Sequence, residues 1–144
     1  MNRLKPGASL IIFRIIFYTC SVYFFLMGLG LIFFPYFLVK GIAGTEVSPV
    51  VIGMLRGSGG AIIPYSLLYY LTLKRPRRRS WGLVVIALAN ILAILLDLGS
   101  VLSGEYQLSY AMMDLPVEIL SLIGIAIIVA SLKMTDHTSQ QAPD

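Results

Sequence analysis

Four long apolar blocks constrain what this chain can fold into more than any other feature. They cover about residues 9–34, 50–73, 81–103 and 112–132. A helix needs roughly 20 apolar residues to cross a bilayer, and each block reaches that length. The whole chain has 144 residues, which leaves no segment for a soluble domain. The sequence therefore predicts an all-α integral membrane four-helix bundle, up-down-up-down, whose transmembrane domain covers residues 1–133.

Composition and the two ends of the chain agree with this class. The chain is 58% hydrophobic and 12% charged, about half the charged share of a soluble domain. The first apolar block is too long for the core of a signal peptide, and no small-x-small cleavage pattern follows it. It is therefore expected to be an uncleaved first span. Residues 134–144 are polar and are predicted to form a disordered cytoplasmic tail.

The basic residues predict the orientation in the membrane. Much of the +4 net charge comes from one run, Lys74-Arg75-Pro76-Arg77-Arg78-Arg79, between the second and third blocks. Basic loops stay in the cytoplasm, and Lys133 would lie on the same side. This predicts a multi-pass protein of the bacterial inner (plasma) membrane with both termini cytoplasmic. A basic run in this position is a topology signal, so no nucleic-acid partner is expected.

Ionisable residues inside the blocks predict a polar layer. A charge within a membrane helix costs roughly 2.5–3.5 kcal/mol and needs a partner. Arg56, Asp97 and Glu118 each lie about six residues from the outer end of their helix, or roughly 9 Å at 1.5 Å per residue. Arg56 is therefore predicted to pair with Asp97, Glu118 or both. Asp114 belongs to the same layer, although an acidic residue also suits a helix start, where Pro116 is expected.

Two interpretations of this layer stay open at this point. The first is a structural lock that fixes helix packing. The second is a site for a small molecule, a lipid headgroup or a proton, open to the outer leaflet. Replacing Arg56 with alanine should impair folding if the layer is a lock. Retained folding with lost binding would favour a site.

Small residues in the second block predict close helix packing. Gly53-x-x-x-Gly57 and Gly57-x-x-x-Ala61 are patterns that let a neighbouring backbone approach. In the third block, an asparagine near the membrane centre is expected to hydrogen-bond a neighbouring helix, worth about 0.5–2 kcal/mol. The residues expected at helix contacts are Gly53, Gly57, Gly59, Gly60 and Asn90.

The second block also contains a proline and several tyrosines. Pro64 is expected to kink the helix because it removes a backbone hydrogen bond. Tyr65, Tyr69 and Tyr70 approach the end of the block, where an aromatic belt at the membrane surface is the expected role.

Catalytic and cofactor chemistry is not favoured. The sequence shows no metal-ligand spacing, no nucleophile–base pair and no phosphate-binding loop, since the glycine-rich stretch 57–60 has no lysine after it. The one histidine, His137, lies in the polar tail. We therefore expect no enzyme activity, no catalytic residue, no metal and no cofactor.

With Arg56-Gly57-x-Gly59-Gly60 in the second block, the basic hinge and Asn90, the chain resembles small bacterial four-helix membrane proteins, the DUF4345-like, broadly DoxX-like group. The resemblance covers roughly residues 28–104. It implies a four-helix membrane fold and no particular reaction.

Three functions remain. The preferred one is an accessory or interaction subunit of a larger membrane complex, with a protein partner or a homo-oligomer and the lipid bilayer around it. The alternative is a hydrophobic-ligand or lipid-binding protein, with a lipid or quinone-like ligand at the polar layer around Arg56. A small oligomeric transporter is less favoured, because no inverted repeat is visible.

Overall fold

The computed structural model describes residues 6–38, 48–76, 80–104 and 108–140. Within these residues four long helices follow one another: α1 (Pro6–Phe33), α2 (Pro49–Lys74), α3 (Ser80–Leu102) and α4 (Leu108–Gln140). A single further helical turn covers residues 35–38. All four long helices are apolar and long enough to cross a membrane. The predicted all-α, four-helix membrane fold is confirmed.

Local sequence signals explain where the helices begin and end. α1 ends just before Pro35, which disfavours helical backbone in the preceding residue. α2 begins with Ser48 as its cap, whose hydroxyl accepts a hydrogen bond from the Val51 N–H at 3.4 Å, and with Pro49 in the first turn. After α3 the chain turns at Gly104, whose φ of +75° favours glycine.

The fourth helix is longer than the sequence predicted. It begins at Leu108 and continues to Gln140, beyond the predicted end of the span at residue 132. The predicted tail therefore begins within α4, which includes residues 134–140, and residues 141–144 lie outside the described part. Pro116, expected at a helix start, lies inside α4. The helix dipole stabilises a carboxylate only in the first turn. Asp114 and Glu118 lie beyond that turn, so the dipole does not explain their positions.

Each helix runs antiparallel to the next one, and α4 returns to pack on α1. Ser21 on α1 donates to the Ser66 carbonyl oxygen on α2 at 2.9 Å, while Cys20 lies beside Val117 on α4. The contact between α1 and α2 is the most extensive, and that between α2 and α3 is the least extensive of the neighbouring pairs. The bundle is thus closed on three sides and loosely packed on the fourth.

An aromatic cluster fills the centre of the bundle. Phe13, Phe17, Phe24, Tyr65 and Tyr69 lie with neighbouring ring centroids 4.3 to 5.4 Å apart. The expectation of an aromatic belt is therefore wrong for Tyr65 and Tyr69, since both rings belong to this interior cluster. Tyr70, in contrast, is exposed and has the Lys74 ammonium 4.5 Å from its ring centroid, which suits the predicted interfacial role.

The helix surfaces away from the cluster are apolar. Many isoleucine, leucine and phenylalanine side chains are exposed around the bundle. Such an outer surface suits lipid.

Glycines allow close helix contact, but largely not at the predicted positions. A Cβ on Gly59 would lie 2.7 Å from the Gly28 carbonyl oxygen, so α1 and α2 touch backbone to backbone there. Gly53, Gly57 and Gly60 have no atom within 4 Å of such a Cβ in the described structure. The packing prediction holds for Gly59 and is wrong within this chain for the other three glycines.

Candidate functional site

A hollow of about 410 Å³ lies within the bundle and is bordered by all four helices. We call it the Glu118 hollow, after its most buried ionisable residue. Its walls are largely apolar, with a few polar groups from three helices. It is lined by Phe24, Met27, Ala61, Ile62, Tyr65, Ala89, Asn90, Ala93, Asp114 and Glu118.

Three alanines explain why the hollow opens between α2 and α3. Ala61 on α2 and Ala89 and Ala93 on α3 line it, and their short side chains leave the space between the two helices unfilled. Ala61 is exposed, whereas Ala89 and Ala93 are partly exposed. The hollow therefore reaches the apolar outer surface of the bundle at the side where the helices touch least.

Glu118 is the buried acidic group of this hollow. Its side chain is 5% exposed, and its Oε2 atom has no hydrogen-bond partner in the described structure. Asp114 lies one turn earlier on α4 and faces the same way, because residues four apart share a helix face. Asp97 on α3 is close enough to interact electrostatically with both. A buried carboxyl group without a partner is costly, so Glu118 is suited to meeting a donor that enters the hollow.

Asp114 is held by a tyrosine from α1. The Tyr23 hydroxyl lies 2.7 Å from Asp114 Oδ1 and also 2.7 Å from the carbonyl oxygen of Met113. This contact links α1 to α4 and fixes the direction of the Asp114 side chain. Asp114 is therefore a positioned polar group at the edge of the hollow, while Glu118 supplies an unpaired acceptor.

One helical turn further along α4 from Glu118, an asparagine connects three helices. Asn90 Nδ2 on α3 donates to Tyr69 Oη on α2 at 2.8 Å and to Ser121 Oγ on α4 at 2.9 Å. The two hydroxyls are themselves 2.8 Å apart. The Tyr65 hydroxyl lies 3.4 Å from Asn90 Oδ1. The expectation that Asn90 bonds to a neighbouring helix is confirmed, with two neighbours instead of one.

Arg56 does not join this group. It is exposed and lines a different hollow, of about 810 Å³, with Phe33, Phe34, Pro35, Tyr36, Phe37 and Ile52. Among the described residues it forms no ion pair with Asp97, Asp114 or Glu118. The prediction that Arg56 pairs with Asp97 or Glu118 is therefore wrong. Depth along a helix does not fix which face of the helix a residue occupies.

Sequence reasoning missed four polar residues of the interior: Tyr23, Tyr65, Tyr69 and Ser121. A signal was present in the spacing. Tyr65, Tyr69 and Thr72 follow one another at intervals of four and three on α2, and Asp114, Glu118 and Ser121 do so on α4. Polar residues repeating at helical period within an apolar span mark a face that is turned towards protein.

Within the described residues, no three histidine, cysteine or carboxylate side chains come together to hold a metal ion. No protein-family model, curated protein or solved structure matches the chain.

Proposed function

We propose that this chain is a non-enzymatic membrane protein that binds an amphiphilic small molecule in the Glu118 hollow. The ligand has an apolar body and a cationic or hydrogen-bond-donating head. The observation that carries the proposal is the buried Glu118 Oε2, which lines the hollow without a hydrogen-bond partner. In our proposal the protein resides in a bacterial inner membrane with both termini in the cytoplasm.

The charge of the hollow selects the ligand head. Asp114 and Glu118 are among its lining residues, and the described lining includes no lysine or arginine. An anionic head would add to the negative charge, whereas a cation or a donor would satisfy the Glu118 acceptor. A charge-assisted hydrogen bond is roughly twice as strong as a neutral one. An amine or another organic cation therefore fits better than a fatty acid.

The size and walls of the hollow select the ligand body. Its volume of about 410 Å³ lies within the range of roughly 300–1,000 Å³ that small-molecule sites occupy. Phe24, Met27 and Ile62 provide apolar contact, and methionine adapts to ligands of different shape. The head is oriented towards α4 and the body towards the gap between α2 and α3.

A lipophilic cation tests this function. We expect saturable binding of octylammonium, whose N–H groups can donate to Glu118 Oε2, to the purified protein in mild detergent, measured by equilibrium dialysis. Glu118→Gln keeps the size of the side chain but removes its charge, and it should weaken binding at least about tenfold, equivalent to roughly 1.4 kcal/mol. Ala93→Leu should also weaken binding, because it fills the hollow without changing any charge.

The matched control is Asp136→Asn, which removes the same charge from the polar end of α4. It should bind the cation like the unmodified protein. Equal affinity in the Glu118→Gln variant and the unmodified protein would show that the cation binds elsewhere. Absence of saturable binding would reject the class of ligand.

A second candidate function is the accessory subunit of a larger membrane complex, and one observation favours it. Gly53, Gly57 and Gly60 present a small-residue face on α2 that no described atom of this chain covers. Such a face allows a helix of another protein to approach closely. In this proposal, the partner is a larger membrane protein that contributes one helix to this face.

Mild-detergent purification followed by native mass spectrometry tests the subunit. We expect one partner at fixed stoichiometry, lost in Gly57→Leu and retained in Ala126→Leu, which enlarges an exposed alanine on α4 instead. A lone monomer, or a homo-oligomer that carries a retained small mass, would reject the subunit and support the ligand-binding function.

A further inference from the structure

A separate hollow of about 540 Å³ lies between α1 and α2 and is lined by two cationic side chains. Arg14 comes from the first half of α1 and Lys74 from the last residue of α2. The remaining lining residues are apolar, aromatic or hydroxyl-bearing: Ile15, Tyr18, Thr19, Tyr70 and Leu73. We infer that Arg14 and Lys74 bind the headgroup of an anionic phospholipid.

The two cations suit a phosphodiester. A guanidinium presents several donors in one plane that match phosphate oxygens, whereas an ammonium acts as a point charge. Lys74 Nζ lies 4.5 Å from the centroid of the Tyr70 ring, which holds the ammonium at the edge of the hollow. Neither Arg14 nor Lys74 forms an ion pair with a carboxylate in the described part of the chain. Both charges are therefore available to an anion.

The surroundings favour a lipid over a soluble anion. Ile15 and Tyr18 are 61% and 58% exposed on the outer face of α1, where they meet acyl chains if the helix spans a bilayer. The phosphate would lie between Arg14 and Lys74, and one acyl chain would follow Ile15 and Leu73. An ion such as free phosphate would gain nothing from this apolar wall.

The position of the hollow along the bundle supports the same occupant. Lys74 ends α2, and the basic run of residues 74–79 follows directly. In the orientation proposed above, this end faces the cytoplasm, whose leaflet carries anionic lipid. Basic hollows between membrane helices on that side are typical sites for anionic headgroups. This inference uses the proposed orientation and is independent of ligand binding at Glu118.

Native mass spectrometry with added lipid tests the site. The probes are phosphatidylglycerol and phosphatidylcholine with identical acyl chains, each titrated into the purified full-length protein. We expect preferential retention of phosphatidylglycerol. The double variant Arg14→Gln/Lys74→Gln should reduce that preference at least about tenfold, and Arg14→Lys should preserve most of it because the charge remains.

Arg75→Gln is the matched control, because Arg75 is exposed, follows Lys74 directly and does not line the hollow. It should keep the preference for phosphatidylglycerol, and helicity by circular dichroism should be equal in all variants. An unchanged preference in the double variant would overturn the inference. So would an equal loss in Arg75→Gln, which would show attraction to overall charge only. Displacement of the lipid by millimolar inorganic phosphate would instead identify a soluble-anion site.

Discussion

Gly28 on α1 and Gly59 on α2 face each other where the two helices cross, with each position too close to the other backbone to admit a side chain. A Cβ on Gly59 would lie 2.7 Å from the Gly28 carbonyl oxygen and 2.9 Å from Leu31 Cβ, and one on Gly28 would lie 3.0 Å from the Gly59 carbonyl oxygen. Backbone atoms cannot yield as a flexible side chain can. The two glycines therefore set the distance between α1 and α2.

We expect Gly59→Ala to destabilise the protein by about 1–3 kcal/mol, because the added methyl group forces the two helices apart. The measurement is the free energy of unfolding in mixed micelles. Gly57→Ala is the control on the same helix, where a Cβ has no atom within 4 Å in the described structure. It should be neutral or slightly stabilising, since alanine has the higher helix propensity. Equal destabilisation by both substitutions would contradict the assigned crossing point.

The Asn90 network should contribute modestly to stability. Replacing Asn90 with leucine removes both donors to Tyr69 and Ser121, at an expected cost of about 0.5–2 kcal/mol. Because the three side chains share their hydrogen bonds, Asn90→Leu and Ser121→Ala should be less than additive in a double-mutant cycle. Strict additivity of the unfolding free energies would show that the two residues act independently.

Tyr23→Phe removes the hydroxyl that holds Asp114 and should destabilise the protein by about 1 kcal/mol. It should also weaken octylammonium binding slightly, because the Asp114 side chain would lose its fixed direction. The comparison variant is Tyr18→Phe, which removes a hydroxyl from a 58% exposed position of the same helix. If Tyr18→Phe had the larger effect on unfolding, the contact between α1 and α4 would not be the cause.

Arg56→Gln should leave the free energy of unfolding within about 0.5 kcal/mol of the unmodified protein, as is usual for exposed positions. Arg56 is exposed and forms no ion pair with the described carboxylates. A structural lock at Arg56 requires the opposite result, a loss of folded protein. Thermal unfolding followed by circular dichroism distinguishes an exposed, unpaired Arg56 from a structural lock. Glu118→Gln is measured in the same way for comparison.

The fold could be predicted because the signal is long and redundant. Each apolar block exceeds the bilayer thickness, so an error of two residues at either end leaves the span intact. The end of α4 could not be predicted in this way, since residues 134–140 are polar and hydrophobicity carries no information on whether a polar segment continues as helix. Pro116 was misplaced for the same reason, because the helix begins four residues before the apolar block does.

The candidate site was predicted in part. Asp114 and Glu118 were expected in one layer and lie on one face, because a four-residue interval fixes both depth and direction within one helix. Arg56 and Glu118 are on different helices, so their relative direction depends on how α2 is rotated, at about 100° per residue. That rotation is set by the contact between Gly28 and Gly59. A single sequence gives no information on which of several small residues makes such a contact.

If the Glu118 hollow binds a ligand as proposed, the gap between α2 and α3 determines which concentration of ligand the protein experiences. The hollow opens sideways at Ala61, so in a bilayer its ligand would exchange with molecules dissolved in the acyl chains and not directly with those in water. Partitioning favours the bilayer by about 0.8 kcal/mol per methylene, so two ligands with the same head can differ severalfold in apparent affinity through chain length alone. Occupancy would then depend on the amount of lipid present, and dilution with empty vesicles would release the ligand without any competitor.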